Sequence, residues 1–142
     1  MLIEKSQKNN LSMKAYITCP VSYTQKRLDL LPIIEELVES MGIESFVFKI
    51  GGSSEEIFQR DLEALKSSDI LIAEISEASH GVGIEIGLSY SLGLKRILLI
   101  ENGNNVTKLI QGMSDTVILE YTDKEDLKKK LGDCLQNLLE NQ

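Results

Sequence analysis

Two carboxylates, Glu85 and Asp61, have the strongest claim on chemistry in this 142-residue chain. Glu85 is the one charged residue between Val82 and Leu94, a stretch that reads Val-Gly-Ile-Glu-Ile-Gly-Leu-Ser-Tyr-Ser-Leu-Gly-Leu. Such a stretch predicts a buried helix, because a helix that is apolar nearly all round needs cover on every side. A lone carboxylate on it needs partners or a task. Asp61 interrupts the apolar stripe of the preceding helix, falling between Ile57 and Leu65 at about 100° per residue. Two carboxylates about 5 Å apart are the geometry of retaining glycosyl transfer, one acting as nucleophile and one as acid/base. Each also has a plainer reading. Glu85 can be satisfied by helix-end amides, and Asp61 can reach solvent from the stripe edge or cap a neighbouring loop.

The polar groups nearby divide in the same way. Ser79 lies six residues before Glu85, where a hydroxyl suits an anion or serves as a plain helix N-cap. The Gly81-x-Gly83 pair predicts a turn that lets the backbone approach a ligand. It is not a dinucleotide fingerprint, since Ile86 stands where the third glycine would be and the pair does not follow the first strand. Tyr16, in the first strand, is a core residue or the orienter of a carboxylate. His80 is a surface loop residue or a general acid. Cys19 is a small core residue with no basic partner to make it a nucleophile.

Composition narrows the class. With 42% apolar and 26% charged residues, the chain has the make-up of one ordinary globular domain. A formal charge of -7 argues against a nucleic-acid polymer as partner while leaving room for a small anion at a helix N-terminus. The single histidine argues against a histidine-rich metal site, and neither a metal nor an organic cofactor is expected. Cys19 and Cys134 lack CxxC spacing and follow no signal-peptide pattern, which predicts free thiols in the cytoplasm. No apolar run approaches the ~18–20 residues needed to cross a membrane. Residues 1–12 read as a mobile tail, or as residues ahead of a start at Met13, and residues 13–142 as a single domain.

The elements that must position these residues alternate. Strands are predicted at 14–19, 45–50, 69–75, 96–100 and 116–121. Helices are predicted at 28–41, 55–66 and 82–94, with a short one at 106–113 and a last one after the Thr122/Asp123 cap. Short, mostly unalternating strands between helices predict a three-layer, doubly wound (flavodoxin/Rossmann-like) α/β fold with a five-stranded parallel sheet. Ligands in such folds bind at the carboxyl ends of the strands. That makes the loops 20–23, 76–83 and 101–107 the site candidates.

Asp61-Leu62-x-x-Leu65-x-x-Ser-Asp69, Ala73-Glu74, Ser79-x-Gly81-Val82-Gly83-x-Glu85-x-Gly87 and Lys95-Arg96-Ile97-Leu98 resemble the nucleoside 2-deoxyribosyltransferase superfamily. The closer branch is the 2'-deoxynucleoside 5'-monophosphate N-hydrolases. The resemblance implies roles. Glu85 would attack C1' and form a glycosyl-enzyme ester, Asp61 would assist departure of the base, and Tyr16 would position Glu85. Gly81 and Gly83 would line the substrate. Ser79, where the transferase branch commonly has an aspartate, favours a 5'-phosphate. Thr107 matches a hydroxyl given across a homodimer interface. One segment departs: the hydrolases' glycine-serine-x-arginine after the first strand is Cys19-Pro20-Val21-Ser22 here. Ser22, Lys26 and Arg27 are left as substitutes for the phosphate-holding arginine. Base exchange between nucleosides, ribonucleotide hydrolysis and a silent nucleotide-binding module are the competing readings.

Overall fold

A computed structural model describes residues 13–21 and 25–141. The tail expected at 1–12 and the substrate-binding candidate Ser22 lie outside the described residues. The elements run β1 (Lys14–Thr18), α1 (Gln25–Leu28), α2 (Leu31–Ser40), β2 (Glu44–Val47), α3 (Ser54–Lys66) and β3 (Ile70–Glu74). They continue with α4 (His80–Ser91), β4 (Lys95–Glu101), α5 (Lys108–Gln111), β5 (Thr116–Tyr121) and α6 (Lys124–Glu140).

All four strand pairings are parallel, in the order β2-β1-β3-β4-β5. This is the expected doubly wound sheet, and its strand order reverses between β1 and β3, where such folds open a crevice. The central strands are apolar run-throughs because helices cover both faces. All five residues of β3 are buried. Ala15, Ile17, Ile70, Ile72, Ile97 and Leu99 pack with α2 and α6 on one face. Tyr16, Leu71, Ala73 and Leu98 pack with Ala64, Leu65, Val82 and Ile86 of α3 and α4 on the other.

Local signals set the element ends. Ser53 and Glu56 form a capping box at α3, with the Glu56 amide donating to Ser53 Oγ at 3.1 Å and the Ser53 amide to Glu56 at 3.2 Å. Asp123 caps α6. The helix expected over 28–41 is Leu31–Ser40, and a separate short helix not expected from the sequence precedes it. α1 ends at Leu28, and α2 restarts at Leu31 with Pro32 in its first turn, where a residue without an amide hydrogen begins a helix rather than continues one.

Two expectations are corrected at α4. The Gly81-x-Gly83 turn is not a loop: α4 begins at His80, so both glycines lie in its first turn. The helix is also not buried all round. Val82, Ile86 and Ser89 face inward, whereas Ile84 is 57% and Tyr90 51% exposed. Among the described residues, the sheet and α3 cover one side of it.

Leu98 is fully buried in β4 at the middle of the α3/α4 face. Leu98→Ala is expected to lower unfolding stability by about 2–5 kcal/mol, read from urea denaturation. A loss well under 1 kcal/mol would show that this face is not close-packed.

Candidate active site

Glu85 sits in the second turn of α4 and reaches across to β1. One carboxylate oxygen, Oε1, accepts from the Thr18 hydroxyl at 3.0 Å. The other, Oε2, accepts a short hydrogen bond from the Tyr16 hydroxyl. Side chains two apart on a strand share a face, so Tyr16 and Thr18 present both donors to one carboxylate. The Tyr16 ring is itself fully buried and stacked on Phe46 of β2, with centroids 5.2 Å apart. The pairing of β1 with β2 therefore fixes where the hydroxyl points.

Asp61 stands on the inward edge of α3, half-buried as its place in the stripe demanded. Arg60 Nε lies 3.8 Å from its Oδ1, and that oxygen is buried without a hydrogen bond. Asp61 and Glu85 line the same cavity of about 460 Å³, together with Thr18, Cys19, Ser79, Gly81 and Val82. Apolar side chains close the α3 end of it: Phe48, Ile57, Phe58 and Leu62. Its lining joins Thr18 and Cys19 at the end of β1 to the start of α4, which follows β3, so it lies where the strand order reverses.

Burial is the leading influence on both carboxyls. It pushes Glu85 up to about 7, the Asp61 charge adds to the rise, and the Tyr16 and Thr18 hydrogen bonds work against it. Burial raises Asp61 as well, opposed by the Arg60 charge and by Tyr16. Burial and the two carboxylates hold the Tyr16 hydroxyl far above the ordinary phenol value, so it stays a donor. Burial and the charges of Glu74 and Glu85 push the Cys19 thiol up to about 12, which suits the small buried residue expected and not a nucleophile.

The remaining candidates separate. Ser79 is the N-cap of α4, accepting from the Val82 amide at 3.3 Å, and it also lines the cavity, so the plainer reading and the ligand reading coexist. Gly81 lines the cavity, whereas Gly83, although on the same first turn, is outside its lining. Thr107 is the exposed N-cap of α5 and does not line the cavity of this chain. His80 is exposed at the start of α4. Of the three loops expected to form the site, described residues of the first two do so, while 101–107 does not. The loop after β2 contributes Lys49, Ile50 and Gly51 instead.

Two groups escaped the sequence reading. Thr18 needed only the two-residue strand period from Tyr16. The cluster of Glu74, Arg27, Tyr121 and Glu101 lies on the opposite face of the sheet and unites residues up to 94 positions apart. No spacing signal could announce it. It also engages two of the expected phosphate substitutes, since Lys26 lies 2.7 Å from Glu101 and Arg27 contacts Glu74, Glu77 and Glu101.

Among the described residues, no group of three or more histidine, cysteine, aspartate or glutamate side chains could hold a metal, and no helix is long and apolar enough to cross a membrane. Fold and cavity define a class: doubly wound α/β proteins with two carboxylates lining one cavity at the topological switch point. Within it, the nucleoside 2-deoxyribosyltransferase family matches residues 15–118, and the chain belongs to that family.

A protein of Thermofilum pendens, provisionally named 2'-deoxynucleoside 5'-phosphate N-hydrolase 1, is 28% identical over 143 residues, covering 92% of this chain and all of that protein. The mouse 5-hydroxymethyl-dUMP N-hydrolase is 29% identical over 98 residues, 66% of this chain and 57% of that protein. This chain thus spans little more than half the length of the mammalian relative. The structure of a Clostridium botulinum CMP N-glycosidase superposes with a TM-score of 0.68 at 24% identity, covering 83% of this chain and 97% of that one, which is a likeness of fold.

Glu85 binds its proton more tightly folded than unfolded. Its contribution to stability is complete below the ordinary value of 4.5 and is lost as pH rises through about 7. Glu85→Gln removes that loss. The variant's stability relative to the parent is expected to improve by on the order of 1–3 kcal/mol between about pH 5 and pH 8. A difference that stays constant across this range in thermal scans would contradict the assigned burial of the carboxyl.

Proposed function

We propose that the protein hydrolyses the N-glycosidic bond of 2'-deoxynucleoside 5'-monophosphates, releasing free base and deoxyribose 5-phosphate. The observation that supports this best is one carboxylate, Glu85, held on both oxygens by Tyr16 and Thr18 in a cavity shared with Asp61. In the proposed sequence the C1'–N bond breaks and its electron pair leaves with the base. Asp61, whose raised affinity for a proton suits an acid, supplies the proton the base needs. Ionised Glu85 stabilises the oxocarbenium character at C1' and then bonds to it. Water next attacks C1', Asp61 takes its proton, and the C1'–O bond breaks to restore the Glu85 carboxylate. The Tyr16 and Thr18 donors ease that last departure by stabilising the returning charge.

The apolar wall of Phe48, Ile57, Phe58 and Leu62 beside Asp61 suits the base. Ser79 suits the 5'-phosphate: its oxygen accepts from Val82, and its own proton is free to donate to an anion at the positive end of α4. The names of the archaeal and mammalian relatives point to the same substrate class.

A second reading, a nucleoside-level enzyme that hydrolyses or exchanges bases, is favoured by the engagement of Lys26 and Arg27 with carboxylates. The exposed apolar residues Ile84, Tyr90 and Leu109 suit a homodimer, in which Thr107 would reach the neighbouring cavity. The free thiols of Cys19 and Cys134 suit a cytoplasmic setting. The unit proposed for this activity is 13–142.

Chromatography of free base released from each dNMP, NMP and deoxynucleoside tests the reading, with a second free base added to detect exchange. Glu85→Gln is expected to cut base release by about 10³-fold or more. Activity retained in this variant removes Glu85 from the mechanism, and a new nucleoside in the mixture selects transfer over hydrolysis.

For the parent, one limb of the kcat/KM profile is expected at about pH 7, where Glu85 exchanges its proton, and Asp61 must keep its own proton to act as the acid. Tyr16→Phe deletes a hydrogen bond that favours the charged form, so it should move this limb upward by about one unit. A limb that stays in place would show that a group other than Glu85 sets it.

A further inference from the structure

The proposed chemistry leaves unused the most heavily buried charge in the described chain. Glu74 ends β3 with no exposed surface. Its neighbour Ala73 packs toward α3 and α4, so strand alternation turns Glu74 to the α2/α6 side. Oε1 accepts from the Ser76 amide and Oε2 from the Ser76 hydroxyl, each at 2.7 Å. Oε2 also takes a short hydrogen bond from Tyr121 of β5.

Arg27 of α1, only 4% exposed, lies over this carboxylate. Nη1 is 3.5 Å from Glu74 and donates to the Tyr121 hydroxyl at 3.2 Å. Nη2 donates to Glu101 at the end of β4 at 3.3 Å. Nε is 3.6 Å from Glu77, a charge contact without a hydrogen bond among the described residues. The Ser76 hydroxyl closes the circuit by accepting from the Glu101 amide at 2.8 Å.

Burying an ion pair is a poor way to gain stability, since apolar side chains of equal volume commonly do as well. This guanidinium does more than pair charges: it hydrogen-bonds Tyr121 and Glu101, tying the ends of β4 and β5 together, while it sits within ion-pair distance of Glu74 and Glu77. What it fixes is the turn 75–79. That turn is pinned at Ser76 through Glu74, and at Glu77 it meets the Arg27 charge. It runs straight into Ser79, the cap of α4, and α4 carries Glu85. On the outward side of α4, Ile84 and Tyr90 are exposed, and among the described residues the placement of its first turns rests on the sheet, α3 and this lead-in.

We propose that Arg27 is a positioning residue: by hydrogen-bonding Glu101 and Tyr121 and balancing the charges of Glu74 and Glu77 it sets the turn 75–79, and through that turn the placement of Ser79 and Glu85 on the substrate. The role rests on the N-glycosidase reading above. It also means that Arg27 is not the cation for a substrate phosphate.

The test compares the parent, Arg27→Met, Arg27→Lys and Glu77→Gln in the full chain, well below each thermal midpoint. Base release is followed on a deoxynucleoside 5'-monophosphate and on the matching deoxynucleoside. Small misplacement of reacting groups costs turnover, so Arg27→Met is expected to lower kcat about tenfold or more on every substrate the parent accepts, with KM moving by less than about threefold. Arg27→Lys keeps the charge without the fork and should recover only part of this. Glu77→Gln loosens one contact and should lower kcat about threefold with its midpoint nearly unchanged.

A fall in midpoint with kcat intact in all three variants overturns the proposal by reducing Arg27 to a stabilising residue. A loss confined to KM for the monophosphate overturns it by making Arg27 a phosphate ligand. If Arg27→Met does not fold, unchanged kcat in Arg27→Lys and Glu77→Gln overturns it equally. A parent that releases base from no substrate overturns the N-glycosidase reading and this role together, whereas an active parent with indifferent variants overturns this role alone.

Discussion

The double hydrogen bond from Tyr16 and Thr18 to Glu85 is the contact on which the rest of the site depends. A carboxylate in a largely apolar pocket would by itself prefer to be neutral, and burial does raise its affinity for a proton. Two hydroxyl donors from one strand face oppose that rise and leave the group poised near neutrality. They also tie α4 to β1 across the switch point, so the bond that tunes the carboxylate orients it as well. Phe46 stacked on Tyr16 and the β1–β2 pairing hold the donors in place.

Around that contact the sheet separates two kinds of charge. On the α3/α4 face, Glu85 and Asp61 border a cavity, and among the described residues neither has a cation in hydrogen-bonding reach; Arg60 lies 3.8 Å from Asp61. On the other face, Glu74 is neutralised and fully enclosed by Arg27, Tyr121 and Ser76. Both sets stand at the carboxyl ends of neighbouring strands. The difference is access. An incompletely paired carboxylate at the edge of a cavity is available to a substrate, and a saturated one in the core is available only to its own fold. The turn 75–79 passes between the two sets.

Fold class was legible in the sequence because its cause is local. Unalternating apolar strands separated by amphipathic helices have few solutions other than a covered parallel sheet, and the five strands lie within a residue or two of their expected positions, except that β2 ends at Val47. Asp61 was legible because it interrupts a helical stripe, and Glu85 because it is alone among apolar neighbours. The substitution of Cys19-Pro20-Val21 after β1 was equally plain as a string of letters. Its consequence was not, since Lys26 and Arg27 looked free to replace a missing cation until their carboxylate partners were in place.

The sequence by itself determined most of the secondary elements, the parallel kind of sheet and which two carboxylates stand out, because period and polarity are properties of a single segment. Only the tertiary structure decided that α4 is covered on one side, that Thr18 shares Glu85 with Tyr16, and that Arg27 is held by Glu74, Glu77 and Glu101. The physical reason is that each of these depends on which strand ends become neighbours. Pairing β1 with β3 brings Tyr16 and Thr18 to a helix some 70 residues away, and hydrogen bonds and burial across such gaps leave no periodic trace in the chain.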